Sequence, residues 1–240
     1  MGAMTAVTFP PLLSGVQAPR GADPFAKAVS MAAMGCDAGT LVWEAGDAGL
    51  RAALVFAPEV SLAKSMAMVF AVGSGLADAL GALGPPELAV QYRWPGELRV
   101  NGARCGRLRA DAGPPSDGVP AWLVVGVEIA FALDGAAPPG ARPDATALLE
   151  EGCGEITPQG LLESWARHAL VWINRWEEEG MRPLHRDWTG RLTGVGGPVV
   201  AFGREGVFMG MDEDGGMLLR RGEGAVETIP LAVMLEGRGP

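Results

Sequence analysis

Lysine is nearly absent from this chain: Lys27 and Lys64 stand against seventeen arginines. Any chemistry that needs a primary amine must use one of those two, because a guanidinium is not a compact ammonium. Histidine is scarce too, and two histidines are too few for a histidine-based metal site. The three cysteines, Cys36, Cys105 and Cys153, are odd in number and show no paired spacing. That argues against a disulfide framework and against zinc. A basic excess is missing as well: the formal net charge is −9 and the sequence pI about 4.8. Phosphate contacts need a basic face, so a general nucleic-acid partner is not expected. No apolar run reads as long enough to cross a bilayer. Pro10, Pro11 and Gly15 interrupt any secretory signal pattern. The expectation is a cytoplasmic protein without a membrane partner.

What is present suits a packed globular protein. Hydrophobic residues make up 48% of 240, enough for one large domain with or without a small appendix. Residues 1–22 are rich in Pro and Gly and read as extended. Asp23 followed by Pro24 reads as a cap and first helical residue, with the helix ending at Gly35. Thr40–Glu44 and Ala52–Ala57 read as two strands of a hairpin. From Ser61, Leu62, Met66, Val69, Gly73, Leu76 and Leu80 recur at steps of three and four, so a long helix is expected. Strands follow at 88–93, 97–101, 104–110 and 121–131, with turn-rich loops at 111–120 and 134–143. Thr157-Pro158 opens another helix, whose apolar stripe is Leu162, Trp165, Ala169, Trp172 and Trp176 and whose stop is Gly180. After Gly190 short strands fit at 198–203, 206–211, 216–221 and 225–230, which reads as a small β-barrel. Asp212, Asp214 and Gly215 lie in one of its turns; they lack the rest of a calcium loop and read as a hairpin turn.

The stretch from Gln91 to Leu108, QYRWPGELRVNGARCGRL, carries the most information. A strand ends in Arg93-Trp94-Pro95, a second strand runs to an Asn101-Gly102 turn, and Arg104 and Arg107 follow. This resembles the central motif of the biotin/lipoate A/B protein ligase family, K-W-P-N-D-L, a strand, N-G, then K-x-x-G. Trp122 to Phe131, Trp176 to Trp188 and Gly206 to Leu219 also look like family segments, in family order. The resemblance covers Asp23 to about Glu236. It implies an α+β fold, with a mixed sheet and helices related to class II aminoacyl-tRNA synthetases, over residues 23–189. An SH3-like β-barrel over 190–240 would follow.

The resemblance implies a chemistry as well. Family members join biotin and ATP, with magnesium, into an adenylate and pass the acyl group to a lysine on a carrier-domain protein. The implied site is Arg104, at the position of the family lysine, with Arg93, Trp94, Trp43, Arg51, Gly126, Glu128 and Arg107 binding ligand. Trp94 and Trp43 would stack against it. No metal-binding residues are implied.

The departures fall on the ligand-facing positions. The glycine- and arginine-rich phosphate loop is represented only by Glu44–Arg51, EAGDAGLR, which carries one arginine and an acidic Asp47. A carboxylate there repels phosphate. Arg93, Gly96 and Glu97 stand for the family's Lys, Asn and Asp; Glu128 and Ala130 stand for its Gly and Asn. Glu128 is expected to pair with Arg104 or Arg107. Two functions follow: a ligase-like enzyme that activates a small carboxylic acid, or an inactive module on the same fold that binds a small molecule or a protein.

Overall fold

A computed structural model describes residues 7–133, 144–222 and 224–235; the loop read at 134–143 lies outside them. The elements run β1 (Ser14–Gln17), α1 (Pro24–Ala33), β2 (Thr40–Gly46), β3 (Gly49–Phe56), α2 (Leu62–Ser65), α3 (Ala67–Leu83), β4 (Val90–Arg93), β5 (Glu97–Val100) and β6 (Ala103–Ala112). The short pair β7 (Pro115–Ser116) and β8 (Val119–Pro120) follows, then β9 (Leu123–Ala130), α4 (Pro158–Glu179) and α5 (Met181–Arg191). The chain finishes with β10 (Pro198–Ala201), β11 (Arg204–Met211), β12 (Met217–Arg221), β13 (Ala225–Ile229) and a 3-10 turn at Leu231–Met234.

Seven strands form a mixed sheet in the order β1-β2-β3-β9-β6-β5-β4. Only β1 lies parallel to its neighbour; it belongs to the N-terminal segment that the sequence reads simply as extended. The fold is therefore α+β, as the element order predicts. Helix α1 starts where the cap chemistry says it should: Asp23 accepts from the Phe25 amide at 2.9 Å, and Pro24 needs no amide partner. Its Phe25, Ala28 and Ala32 cover one sheet face, against Val42, Ala53, Val55 and Val124. Helices α3 and α4 cover the other.

The long helix differs from its expected form. It breaks at Met66 into α2 and α3, and α3 is buried on nearly every side rather than along one stripe. By length and composition Leu62–Leu83 could cross a membrane, which corrects the expectation that no run is apolar enough. Small residues (Gly73, Ser74, Gly75) dilute the run to the eye. The fold uses it as a core helix, 78% of its apolar window being buried. Three aromatic side chains anchor it. Tyr92 Oη donates to the Gly73 carbonyl at 2.7 Å, Trp165 Nε1 to Val72 at 3.1 Å and Trp188 Nε1 to Phe70 at 3.1 Å. Trp188, on α5, stacks on Tyr92 at 4.2 Å. The sequence reads α5 only as a Trp segment after a helix end.

The terminal strands form an open antiparallel sheet, order β10-β11-β12-β13, consistent with an SH3-like domain. Among the described residues it does not close into the expected barrel. Pro230 ends β13, and the chain turns back so that Leu235 bridges Ala110 of the main sheet. The small sheet is seated firmly. Trp94 Nε1 donates to the Gly215 carbonyl at 2.9 Å, and the Thr193 amide to Tyr92 O at 2.8 Å. In the β11–β12 turn, Asp212 accepts from the Asp214 amide at 3.1 Å and the Gly216 amide at 2.7 Å, as a hairpin turn requires.

Two outcomes test this packing. A Cβ at Gly75 would lie 2.6 Å from the Ala169 amide nitrogen of α4, where backbone cannot give way. Gly75→Ala is expected to cost about 1–3 kcal/mol, read as a lower urea midpoint at unchanged slope. The second concerns Asp23, which Arg109 holds through bonds of 2.9 and 3.1 Å. Burial pushes the Asp23 carboxyl up, but Arg109 and the Phe25 and Ala26 amides together keep it below 3.8. A depressed folded pKa gives stability that is present above the unfolded value and lost as pH falls through the folded one. Asp23→Asn should therefore flatten the fall in urea midpoint between about pH 5 and pH 3 relative to wild type.

Candidate functional site

A cleft of about 850 Å³ opens beside the β2–β3 turn, between the main sheet and the first turn of the small sheet. Its floor is set by strand register. Glu44 lies opposite Arg51, Arg51 opposite Glu128, Glu128 opposite Arg107, Arg107 opposite Glu97, and Glu97 opposite Arg93. One row of alternating charge thus crosses six strands. Opposite charges on neighbouring strands stabilise each other by about 0.2–1 kcal/mol per pair. Three contacts are closed: Arg51 to Glu44 at 3.1 Å, Arg107 to Glu128 at 2.7 and 3.2 Å, and Arg109 to Glu128 at 2.9 Å. Glu97 turns instead to Arg99, at 2.6 Å. Of the two partners expected for Glu128, the structure selects Arg107 and adds Arg109. Arg109 in turn lies 4.1 Å over the Phe25 ring.

Arg104 reaches the same cleft by a local irregularity. Along β6 the pairing with β5 jumps from Gly106 to Arg104, so Cys105 is an extra residue in a β-bulge. In a regular strand residues three apart point to opposite faces. The bulge re-aims the chain, and Arg104 and Arg107 both line the cleft. Beyond the end of the β9 pairing, the Arg104 amide donates to Asp144 O and its carbonyl accepts from the Thr146 amide, each at 2.8 Å. The backbone is fixed while the side chain is exposed, with no ion pair among the described residues. Cys105 is buried, and burial pushes its thiol up to about 12, so it is neutral and a poor nucleophile at ordinary pH.

The remaining candidates lie elsewhere. Arg93 is exposed at the far end of the charge row, outside the cleft lining. Trp94 is 5% exposed and held under the small sheet by its bond to Gly215. Trp43 points to the opposite sheet face, buried near Phe9. Gly126 leaves room for the Phe25 ring, which a Cβ would meet at 2.6 Å. The structure brings together Arg51, Arg104, Arg107 and Glu128 and leaves these four outside the cleft.

The phosphate side fits a polyanion poorly. Gly46 pairs with Gly49, so only Asp47 and Ala48 connect β2 to β3. That turn has no length to wrap phosphates, Asp47 is exposed in it, and Arg51 is committed to Glu44. Among the described residues, no group of three or more His, Cys, Asp or Glu is placed to hold a metal ion. Among the described residues, four arginines (Arg20, Arg51, Arg104, Arg107) and four acids (Glu44, Asp47, Glu97, Glu128) line the cleft. With the closed pairs set aside, Arg20 and Arg104 face only Asp47 among the described residues, a balance that suits one added negative charge.

Sequence reasoning missed Arg20, Phe202 and Met234, which also line the cleft. Arg20 and Met234 have no local signal. Phe202 does: Phe202-Gly203 connects β10 to β11, where Asn-Gly would be ordinary.

Residues 9–190 match the pattern of the Biotin/lipoate A/B protein ligase family. A biotin protein ligase-like protein of unknown function from Silicibacter sp. TM1040 is 50% identical, with a TM-score of 0.88 over 96% of this chain and 99% of that one. The biotin–[acetyl-CoA-carboxylase] ligase of Paracoccus denitrificans is 28% identical over 190 residues, 77% of this chain and 78% of its own length. At the level of fold alone, a biotin protein ligase mutant from Aquifex aeolicus in complex with biotin superposes with a TM-score of 0.73 at 15% identity, over 91% of this chain and 96% of that one. With the match covering the mixed sheet and the helices that pack on it, the chain belongs to the biotin/lipoate A/B protein ligase family.

Proposed function

We propose that this chain binds a small carboxylic acid in the cleft, with Arg104 as the counter-ion of the carboxylate, and does not adenylate it efficiently. The observation that carries this reading is the contrast between two ends of one cavity. At one end Arg104 is fixed by its backbone, and among the described residues its guanidinium fork has no ion-pair partner. That fork matches a carboxylate in shape and charge. At the other end the β2–β3 connection is two residues long and acidic. Efficient adenylation would need preorganised positive charge where the α-phosphate reacts. The positive charge of Arg51 and Arg107 is offset there by Glu44 and Glu128.

A second reading is favoured by the 28% identical relative, which is a biotin–[acetyl-CoA-carboxylase] ligase. On that reading ATP and magnesium enter the same cleft and a carrier-domain protein receives the acyl group at a lysine. The residues at the β2–β3 turn do not favour it. We further read residues 23–189 as the ligand-binding unit and 190–240 as its SH3-like partner unit, in a cytoplasmic protein whose apolar helix serves as core.

Calorimetric titration with biotin and a panel of short carboxylic acids, without ATP or magnesium, separates the two. Binding is expected to one or more acids and should weaken about 10–100-fold in Arg104→Ala, the worth of a hydrogen bond to a charged group. ATP–pyrophosphate exchange should stay at background across the same panel. Exchange stimulated by any acid would establish the ligase reading instead.

A further inference from the structure

We propose that Phe202, in the first turn of the small sheet, is a specificity residue that packs over the apolar body of the bound acid. This rests on the carboxylate-binding reading above and adds which acids the cleft prefers. Ala201 pairs with Arg204, so Phe202 and Gly203 alone make the turn, with φ of +51° and +72°. Tight hairpin turns of this kind favour Asn or Gly at the first position, because a bulky side chain at positive φ crowds its own backbone. A phenylalanine there works against the turn, and its ring is not repaid by burial, being 51% exposed. Strain of this kind is kept where the position does something else.

The surroundings show what. Phe202 lines the same cleft as Arg104. Its ring meets Trp94 edge-on at 6.0 Å, and Trp94 is immobilised by its bond to the Gly215 carbonyl. The ring therefore has a rigid backstop on one side and the cavity on the other. Met234 and Leu133, the latter 44% exposed, add apolar surface to the same cavity. One cationic anchor with an apolar wall selects an amphiphile: a carboxylate on a hydrocarbon or ring body. A short hydrophilic acid would reach Arg104 and leave Phe202 untouched.

The test is Phe202→Asn, which suits the turn, titrated with heptanoate and with propionate alongside wild type and Arg104→Ala. The expected result is a melting temperature equal to or above wild type, heptanoate binding weakened about tenfold, and propionate binding unchanged. Arg104→Ala should weaken both acids. Heptanoate binding that matches wild type in Phe202→Asn, with Arg104→Ala still impaired, overturns the role of Phe202 and leaves the carboxylate site standing. Equal losses for the two acids in Phe202→Asn overturn it too, by showing a general disturbance. If wild type binds neither acid nor biotin, the carboxylate reading falls and this inference falls with it.

Discussion

Burial of α3 is the constraint on which the other elements depend. A helix hydrophobic all round has no solvent face and must be enclosed. Here β4, α4 and α5 each send one aromatic side chain to it, and each of those side chains carries a polar atom that must find a partner in the core. Tyr92, Trp165 and Trp188 find theirs on three carbonyls of α3, Gly73, Val72 and Phe70. The same helix thus satisfies three buried donors and fixes the distance of three elements. Gly75 lets α4 come to backbone contact, and Ser74 ties α5 through Asp187 at 2.7 Å. The small sheet depends on this helix as well, since Gly215 seats against the Phe70 ring.

The site is built on the other face of the sheet, and it is a product of register. Six charged residues scattered from Glu44 to Glu128 fall into one row because β9 lies between β3 and β6. In a mostly paired row the arginines and the neighbouring carboxylates offset each other's charge. Among the described residues, Arg20 and Arg104 line the cleft without an ion-pair partner, and Arg104 is turned into it by the bulge at Cys105. An arginine-lined cleft can therefore be nearly neutral and still hold one anchor for one anion.

Much of the fold was legible locally. The Asp23-Pro24 and Thr157-Pro158 starts, the Gly35 and Gly180 stops and the terminal strands all stand close to where propensity and turn chemistry put them. These signals act within a few residues, which is why they can be read. The strand β1, the break at Met66, helix α5 and the open edges of the terminal sheet were not legible, because each depends on a distant partner. Of the candidate site residues, Arg51, Arg104, Arg107 and Glu128 converge on the cleft, whereas Arg93, Trp94, Trp43 and Gly126 do not line it. Trp94 and Gly126 are conspicuous in the sequence because they serve packing: one holds the small sheet, the other admits Phe25.

The sequence by itself determined the α+β order of elements, the family resemblance and the poverty of the β2–β3 connection as a phosphate loop. All three are local in the chain: periodicity, motif spacing and loop length. The tertiary structure alone decided which arginines are committed, which way Arg104 points and that Phe202 reaches the cleft from a different sheet. Those depend on strand register and on the seating of one sheet against another, where residues more than a hundred positions apart come within contact distance. Charge pairing and close packing act through space over a few ångströms. A one-dimensional spacing cannot report them.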